Sequence, residues 1–160
     1  MHILGLDINH LANLQVLDLA ENTFTGEALE QHLQAHDVSP TAQRLQIAEV
    51  LFSEPQHLSA EQILAAVKRA GAKVSKATVY NTLKLFTDKG LVREVIVDPT
   101  RVFYDSSTHV HHHFYNADTG MLMDIPSDEI GFAQLPNLPS GTRQDGIDVI
   151  IRVRKQPGSH

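Results

Sequence analysis

The middle of the sequence carries start and stop signals for short helices in close succession, and this pattern constrains the fold more than any other feature. The first helix begins at Pro40 and ends before Pro55, because proline fits the first turn of a helix but not its interior. The second begins at Ser59, which forms a capping box with Gln62, and ends at Gly71. These segments predict two helices separated by a short connection.

A third helix follows almost at once. Ser75 is a good N-cap, the helix runs to about Lys89, and Gly90 ends it. Its inward side chains recur at spacings of four and three and are Val79, Leu83 and Phe86. The sequence therefore predicts three consecutive helices, each with one apolar face.

A β-hairpin completes this domain, with strands at 91–97 and 101–104 on either side of an Asp98-Pro99-Thr100 turn. Three helices and a hairpin predict a winged helix-turn-helix domain, which we place at residues 31–105. Residues 1–30 predict a helical N-terminal extension of unassigned role. Its helix signals are a face formed by Leu11, Leu14 and Leu17 and a cap at Thr25.

After Asp105 the pattern changes to short strands, which predict a second domain at residues 106–160. The predicted elements are strands at 108–115, 121–125 and 147–154 and a short helix that begins at Pro126. Apolar residues alternate along the last strand, so we expect one face of it to be buried, in this chain or against a partner. The whole chain is predicted to have an α+β fold.

Cysteine is absent, and its absence excludes whole classes of site. No disulfide, thiolate zinc site, iron-sulfur cluster or cysteine nucleophile can form, so any metal must have nitrogen and oxygen ligands. No apolar run reaches the roughly 20 residues that span a bilayer, and Met1 to Leu6 lacks the basic start of a secretory signal. We therefore expect a cytoplasmic protein with no membrane partner.

The net charge of −6 is unevenly distributed. Residues 1–39 contain six acids and no Lys or Arg, residues 40–105 contain nine basic residues and seven acids, and residues 106–160 contain four and six. Only the middle segment is basic, and a polyanion normally requires a positive surface. A nucleic-acid partner is therefore expected only for the predicted winged helix.

The third helix has a polar face opposite its apolar stripe. Offsets of zero, one, four, five and eight place five residues on that side, namely Lys76, Ala77, Tyr80, Asn81 and Lys84. In a major groove, Lys can reach phosphate or guanine and Asn can pair with adenine. A solvated surface explains the pattern about equally well, but an exposed tyrosine among lysines favours DNA reading. Further phosphate contacts are expected from Arg44, Lys73, Thr78 and Arg101.

Four of the ten histidines lie between positions 109 and 113. On a strand His109, His111 and His113 point one way, whereas His112 points the other way with Val110. Two imidazoles on one strand face are a natural metal chelate. Further candidate ligands are Asp105, Asp124 and His57, the last on a loop before the Ser59 cap that we expect to face between the domains. This donor set suits ferrous iron, manganese or zinc. A pH-sensitive patch, an incidental nucleic-acid contact or a nonspecific metal trap would explain the same histidine run.

Several motifs occur in an order that resembles the ferric uptake regulator family over roughly residues 30–154. They are Ser39-Pro40-Thr41-Ala42-Gln43-Arg44, His57-Leu58-Ser59-Ala60-Glu61, Ala77-Thr78-Val79-Tyr80-Asn81-Thr82-Leu83, Gly90-Leu91-Val92, and the histidine strand followed by Gly120 and Asp124. The resemblance implies an N-terminal winged helix, a C-terminal α/β dimerisation domain, a homodimer, and a regulatory metal between the domains. The ligands it implies for one divalent metal per subunit are His57, Asp105, His111, His113 and Asp124.

The chain departs from the family pattern at its other metal sites. Asn116 and Thr119 replace the first Cys-x-x-Cys pair, so no cysteine-ligated structural zinc is expected. The run His111-His112-His113-Phe114-Tyr115 looks most like the iron response regulator branch, whose members sense iron or haem. The cysteine haem motif of that branch is missing, so haem would depend on the histidines, with His109 and His112 as candidates for a haem or second site.

The resemblance implies a metal-responsive transcription regulator, such as a repressor, in which the metal sets the spacing of two recognition helices. A two-fold dimer implies a palindromic, AT-rich operator on double-stranded DNA. The sequence leaves open the ligand and whether metal activates or releases DNA binding. Two other classes are a winged-helix protein-interaction module, favoured by the acidic net charge, and a metalloenzyme with an ion on His111 and His113. No separate general base is apparent, so we expect no enzyme activity.

Overall fold

A computed structural model describes residues 24–158, so the predicted face of Leu11, Leu14 and Leu17 lies outside the described residues. The chain divides into two compact units, the first ending at Thr108 and the second beginning at His109. Each unit contains one three-stranded sheet. In the described part of the chain, no helix is long and apolar enough to cross a membrane.

Four helices make up most of the first unit. They are α1 (Gly26–Ala35), α2 (Ala42–Phe52), α3 (Ala60–Arg69) and α4 (Lys76–Asp88). The predicted capping box is present at the start of α3, where Ser59 Oγ accepts from the Gln62 N–H and the Gln62 side chain accepts from the Ser59 N–H. Ser75 Oγ caps α4 by accepting from the Thr78 N–H, as predicted. Local sequence signals therefore define where α3 and α4 begin.

The sheet of the first unit contains β1 (His57–Ser59), β2 (Arg93–Asp98) and β3 (Arg101–Asp105) in the order β1-β3-β2. All its pairings are antiparallel, and β2 with β3 forms the predicted hairpin. The expectation that His57 lies on a loop was wrong, because His57 begins β1 and pairs with Asp105 at the end of β3. A strand of three residues is too short to show periodicity, so only the pairing with β3 reveals it.

The core of the first unit lies among the four helices and the base of the hairpin. Val79, Leu83 and Phe86 of α4 are fully buried, as predicted. Each such side chain stabilises the fold by about 1.5–3 kcal/mol relative to exposure. Because the apolar face of α4 is fixed in this way, its opposite face is fixed toward solvent.

The second unit contains β4 (His111–Asn116), β5 (Leu122–Pro126), a 3-10 turn (Ser127–Glu129) and β6 (Ile150–Val153). In its sheet β4 is central, paired antiparallel with β5 and parallel with β6. Together with the winged helix this gives the predicted α+β fold. Strand β4 begins two residues after His109, and β6 is shorter than predicted.

The last strand does not have a fully buried face in the single chain. Ile150 and Val153 are half-buried, and Ile151 is 40% exposed. Residues 130–149 contain no helix or strand, and 131–146 are exposed throughout. The alternation predicted for 147–154 therefore leaves apolar side chains in contact with solvent.

Candidate metal donors and DNA-reading surface

Three predicted metal ligands of the second unit converge on one point. Strand pairing places His113 opposite Asp124. The Nε2 atoms of His113 and His111 lie 3.3 Å and 3.5 Å from the same Asp124 Oδ1. Both imidazoles are 2% exposed as residues, whereas the Asp124 side chain is 55% exposed. Two nitrogen donors and one oxygen donor thus form a chelate whose carboxylate faces solvent, a set that hard or borderline divalent metals accept.

The hydrogen bonding of His111 prepares its ring to bind a metal. His111 Nδ1 lies 2.7 Å from the His109 carbonyl oxygen. A carbonyl can only accept, so Nδ1 carries a proton and, in the neutral ring, Nε2 presents a lone pair. That lone pair faces a carboxylate oxygen, and two acceptors in contact require a cation or a proton between them. This arrangement of a ligand histidine held by a backbone carbonyl is typical of metal sites.

His109 and His112 are placed differently from this chelate. His109 precedes β4 and is exposed, with its ring centroid 4.8 Å from that of His111. His112 is buried on the other side of β4, where its Nδ1 accepts a 3.1 Å hydrogen bond from the Val149 N–H. In the neutral ring the proton of His112 then sits on Nε2, so neither nitrogen has a lone pair to offer a metal.

In the first unit, His57 and Asp105 form a pair across β1 and β3. His57 Nε2 lies 3.3 Å from Asp105 Oδ2, and the Asp105 side chain is 2% exposed. Asp105 Oδ1 accepts from the Ser107 N–H at 2.8 Å. A carboxylate this buried requires hydrogen bonds and an opposite charge, which an imidazolium or a metal ion can supply.

The polar face of α4 is open to solvent. The side chains of Lys76, Ala77, Tyr80, Asn81 and Lys84 are all exposed, and Lys73 precedes them at the surface. A polar cleft of about 260 Å³ between α4 and the start of α2 is lined in part by Arg44, Thr78 and Asn81. The Arg44 guanidinium donates to the Ser39 carbonyl, and Arg101 is exposed on the hairpin. All of these groups belong to the first unit, so that unit alone presents the predicted DNA contacts.

Glu61, at the start of α3, also belongs to this surface, although it was not predicted from the sequence as a contact of Tyr80. The Tyr80 hydroxyl donates a 2.9 Å hydrogen bond to Glu61 Oε1 at the start of α3. This bond raises the pKa of Tyr80. The pKa of Glu61 is lowered, first by its own backbone N–H and then by Tyr80. Because the two residues lie 19 positions apart, no local sequence pattern could have indicated their contact.

A winged helix with an exposed basic face, followed by a sheet unit with a histidine and carboxylate chelate, defines a class of metal-binding winged-helix proteins. Within that class, the chain belongs to the ferric uptake regulator family, whose sequence profile matches residues 29–139. The family resemblance of the sequence is thereby confirmed. The comparisons do not specifically support the iron response regulator branch.

The relatives agree with this assignment. The peroxide-responsive repressor PerR of Staphylococcus epidermidis is 33% identical over 85 residues, which are 53% of this chain and 57% of that protein. The chain thus matches little more than half the length of its curated relatives. The manganese-containing ferric uptake regulator of Pseudomonas aeruginosa is 26% identical with a TM-score of 0.62, over 79% of this chain and 97% of that one. The Vibrio cholerae ferric uptake regulator, 24% identical with a TM-score of 0.63 over 79% and 98%, supports the fold alone.

Proposed function

We propose that this protein is a metal-responsive transcription regulator that binds DNA as a homodimer in the cytoplasm. The observation that carries the proposal is the pair of surfaces on one chain. One is the exposed α4 face with Lys76, Tyr80 and Asn81, and the other is the chelate of His111, His113 and Asp124. A family of regulators accounts for both surfaces together, whereas an enzyme would leave the first without a role.

For DNA, α4 is the proposed recognition helix. The lysines supply charge for phosphates, and Asn81 supplies the bidentate amide that reads adenine in the major groove. Arg44, Lys73, Thr78 and Arg101 are proposed to hold the flanking backbone. A two-fold dimer then requires a palindromic operator, and an AT-rich site allows reading through groove shape.

For the metal, we propose one divalent ion per subunit, held by His57, Asp105, His111, His113 and Asp124. Three imidazoles and two carboxylates suit iron, manganese or zinc. The contact of His111 Nδ1 with the His109 carbonyl oxygen, which turns Nε2 toward Asp124, supports the assignment of that residue. The metal changes DNA affinity if it binds one domain arrangement more tightly than the other. The size of the change is limited by that difference in metal affinity.

For the dimer, we propose the second unit. Among its described residues, the exposed large apolar side chains include Met123, Phe132, Leu135, Leu138 and Ile151. Exposed apolar side chains that lie together are typical of a protein interface. A subunit that buries these side chains against a second copy gains stability with protein concentration.

Two finer assignments follow from different observations. The run His111-His112-His113 supports the iron response regulator branch, with iron or haem as the signal and His109 as the remaining haem candidate. The name of the staphylococcal relatives supports a peroxide response, in which peroxide would oxidise a ligand histidine if the chelate held ferrous iron. Loading with ferrous iron or haem, followed by peroxide and peptide mass spectrometry, distinguishes the two.

The test combines metal binding with DNA binding. Purified protein is titrated with Mn²⁺, Zn²⁺, anaerobic Fe²⁺ and haem, and each form is used to select duplexes from a random pool. We expect stoichiometric binding of at least one ligand and a change in affinity for a palindromic, AT-rich duplex. His111→Ala with His113→Ala should abolish the response, whereas the control His36→Ala, outside the proposed ligands, should retain it.

The same test separates the rival functions. Ligand binding with no change in DNA affinity would contradict the sensor. A protein that selects no duplex in any of these forms would instead support a winged-helix interaction module, since α4 would then have another partner.

A further inference from the structure

Three carboxylates occupy the DNA-reading surface of the first unit, each beside a group predicted to contact DNA. Glu61 accepts from the Tyr80 hydroxyl at 2.9 Å, and Lys76 lies 5.7 Å above the same tyrosine ring. Asp88 lies 2.8 Å from Lys84 Nζ on the next turn of α4. At the tip of the hairpin, Asp98 Oδ2 lies 4.0 Å from Arg101 Nε. Acidic partners therefore accompany contacts on both α4 and the hairpin.

These carboxylates carry charge and face solvent. The side chains of Lys84 and Asp88 are 75% and 58% exposed, and those of Arg101 and Asp98 are 52% and 38% exposed. The pKa of Asp98 is lowered, chiefly by hydrogen bonds from the Thr100 hydroxyl and N–H. The pKa of Glu61 is lowered as well, and Asp88 forms an ion pair with Lys84. Negative charge therefore lies beside each of these predicted DNA contacts.

Such pairs affect two kinds of DNA complex differently. A loosely docked, nonspecific duplex is attracted from a distance by the net charge of the surface. A lysine paired with an aspartate contributes no net charge, so it adds little to this attraction. In a closely docked complex the lysine can leave its partner and contact phosphate, because an exposed ion pair is worth only about 0–1 kcal/mol. The acidic partners therefore lower the affinity for nonspecific DNA more than the affinity for the specific duplex.

We propose that Glu61, Asp88 and Asp98 are specificity-determining residues that suppress nonspecific DNA binding by neutralising the reading surface until a duplex docks closely. The proposal rests on the proposed DNA-binding function. It gives a role to three of the seven acids that accompany the nine basic residues of segment 40–105.

The test uses isosteric neutral variants of the full chain: Glu61→Gln, Asp88→Asn, Asp98→Asn and the triple variant. Asparagine at 98 keeps an oxygen for the Thr100 hydrogen bonds. The control is Glu49→Gln, which makes the same charge change at an exposed position on α2 outside the reading surface. Affinity is measured at several salt concentrations for two probes, sheared mixed-sequence DNA and the duplex selected by the wild type.

We expect Asp88→Asn and Asp98→Asn, each of which releases a cation from an ion pair, to bind mixed-sequence DNA about five- to tenfold more tightly at 0.1 M salt, with a salt slope steeper by about one. Glu61→Gln should also bind more tightly but change the slope less, because the partner of Glu61 is the neutral Tyr80 hydroxyl. The selected duplex should gain much less, so discrimination falls. In a Tyr80→Phe background, the effect of Glu61→Gln should shrink. Circular dichroism melting checks that each variant is folded.

Two results would overturn the proposal. One is an equal gain in affinity for both probes, and the other is an effect of Glu49→Gln as large as that of the three variants. Either result would mean that the acids act only through the total charge of the protein. Failure of the proposed function looks different, because the wild type itself would then select no duplex and bind mixed-sequence DNA no better than the net charge of −6 allows.

Discussion

The Val149 N–H donates to His112 Nδ1 across the gap between the start of β6 and the buried side of β4. The neighbours of His112 on either side belong to the proposed chelate, but His112 itself links β4 to Val149, the residue before β6. Adjacent histidines of one strand therefore have different surroundings, and only those on one side are proposed to bind metal.

We expect His112→Ala to lower the free energy of unfolding by about 2–3 kcal/mol, because it leaves a partly buried N–H without its acceptor and opens a cavity. His112→Asn should recover part of the loss, since its amide oxygen can accept. Urea unfolding measures both. Metal stoichiometry should stay at the wild-type value, and a loss of bound metal without a loss of stability would contradict this role.

Asp105 allows its two oxygens to be tested separately. Asp105→Asn keeps an oxygen for the Ser107 N–H but removes the charge beside His57, so we expect metal affinity to fall at least about tenfold with little change in stability. Asp105→Ala loses both contacts and should also cost about 1–3 kcal/mol. Competition with a chromophoric chelator and thermal unfolding provide the two measurements. Equal metal affinity in the wild type and Asp105→Asn would remove Asp105 from the ligand set.

His32 predicts a pH dependence of stability. Its ring stacks on Phe24, and burial, with a smaller contribution from His36, lowers its pKa from 6.5 to about 4. Between these values the unfolded chain binds a proton that the folded chain does not, so stability falls as pH drops from 6.5 to 4. Because the ring is half-exposed, the loss should stay below the roughly 3 kcal/mol of a buried imidazole with this shift.

His32→Phe keeps an aromatic ring against Phe24 and removes the titration. Urea unfolding between pH 4 and 7 should therefore give a flatter profile for the variant than for the wild type. Parallel profiles would show that another group is responsible.

Asn81 and Lys73 should affect DNA binding in different ways. Asn81→Ala should weaken the selected duplex by about 1–3 kcal/mol and relax selectivity at one base pair, because the amide reads a base edge. Lys73→Ala should weaken all duplexes alike and reduce the salt slope by about one. Repeated duplex selection measures the base preference of each variant, and titration at several salt concentrations measures its salt slope. Interchanged results would mean that α4 docks in a different register.

Local signals explain how much of the fold could be predicted from the sequence. The caps at Ser59 and Ser75 and the burial of Val79, Leu83 and Phe86 depend on neighbours within one helix, so the sequence was sufficient. The strand boundaries were less accurate. His109 falls outside β4, and Ile147 to Val149 fall outside β6, since alternation alone does not determine where pairing begins.

The candidate site could be predicted in part for the same reason. The convergence of His111 and His113 follows from alternation along one strand, which the sequence shows. By contrast, the partners of His57, Glu61 and His112 depend on pairing between distant segments. Short strand β1 and the parallel pairing of β6 have no periodic signature, so these contacts became visible only in three dimensions.

The parallel pairing of β4 with β6 has a consequence for the order in which the second unit forms. The β4-β5 hairpin joins neighbouring segments, whereas β6 must return across the long irregular segment 130–149, and the loop entropy of that closure slows its docking. A two-stranded hairpin is barely stable alone in water. During synthesis the histidine-bearing hairpin is therefore made before β6 and stays marginally stable until β6 pairs with β4.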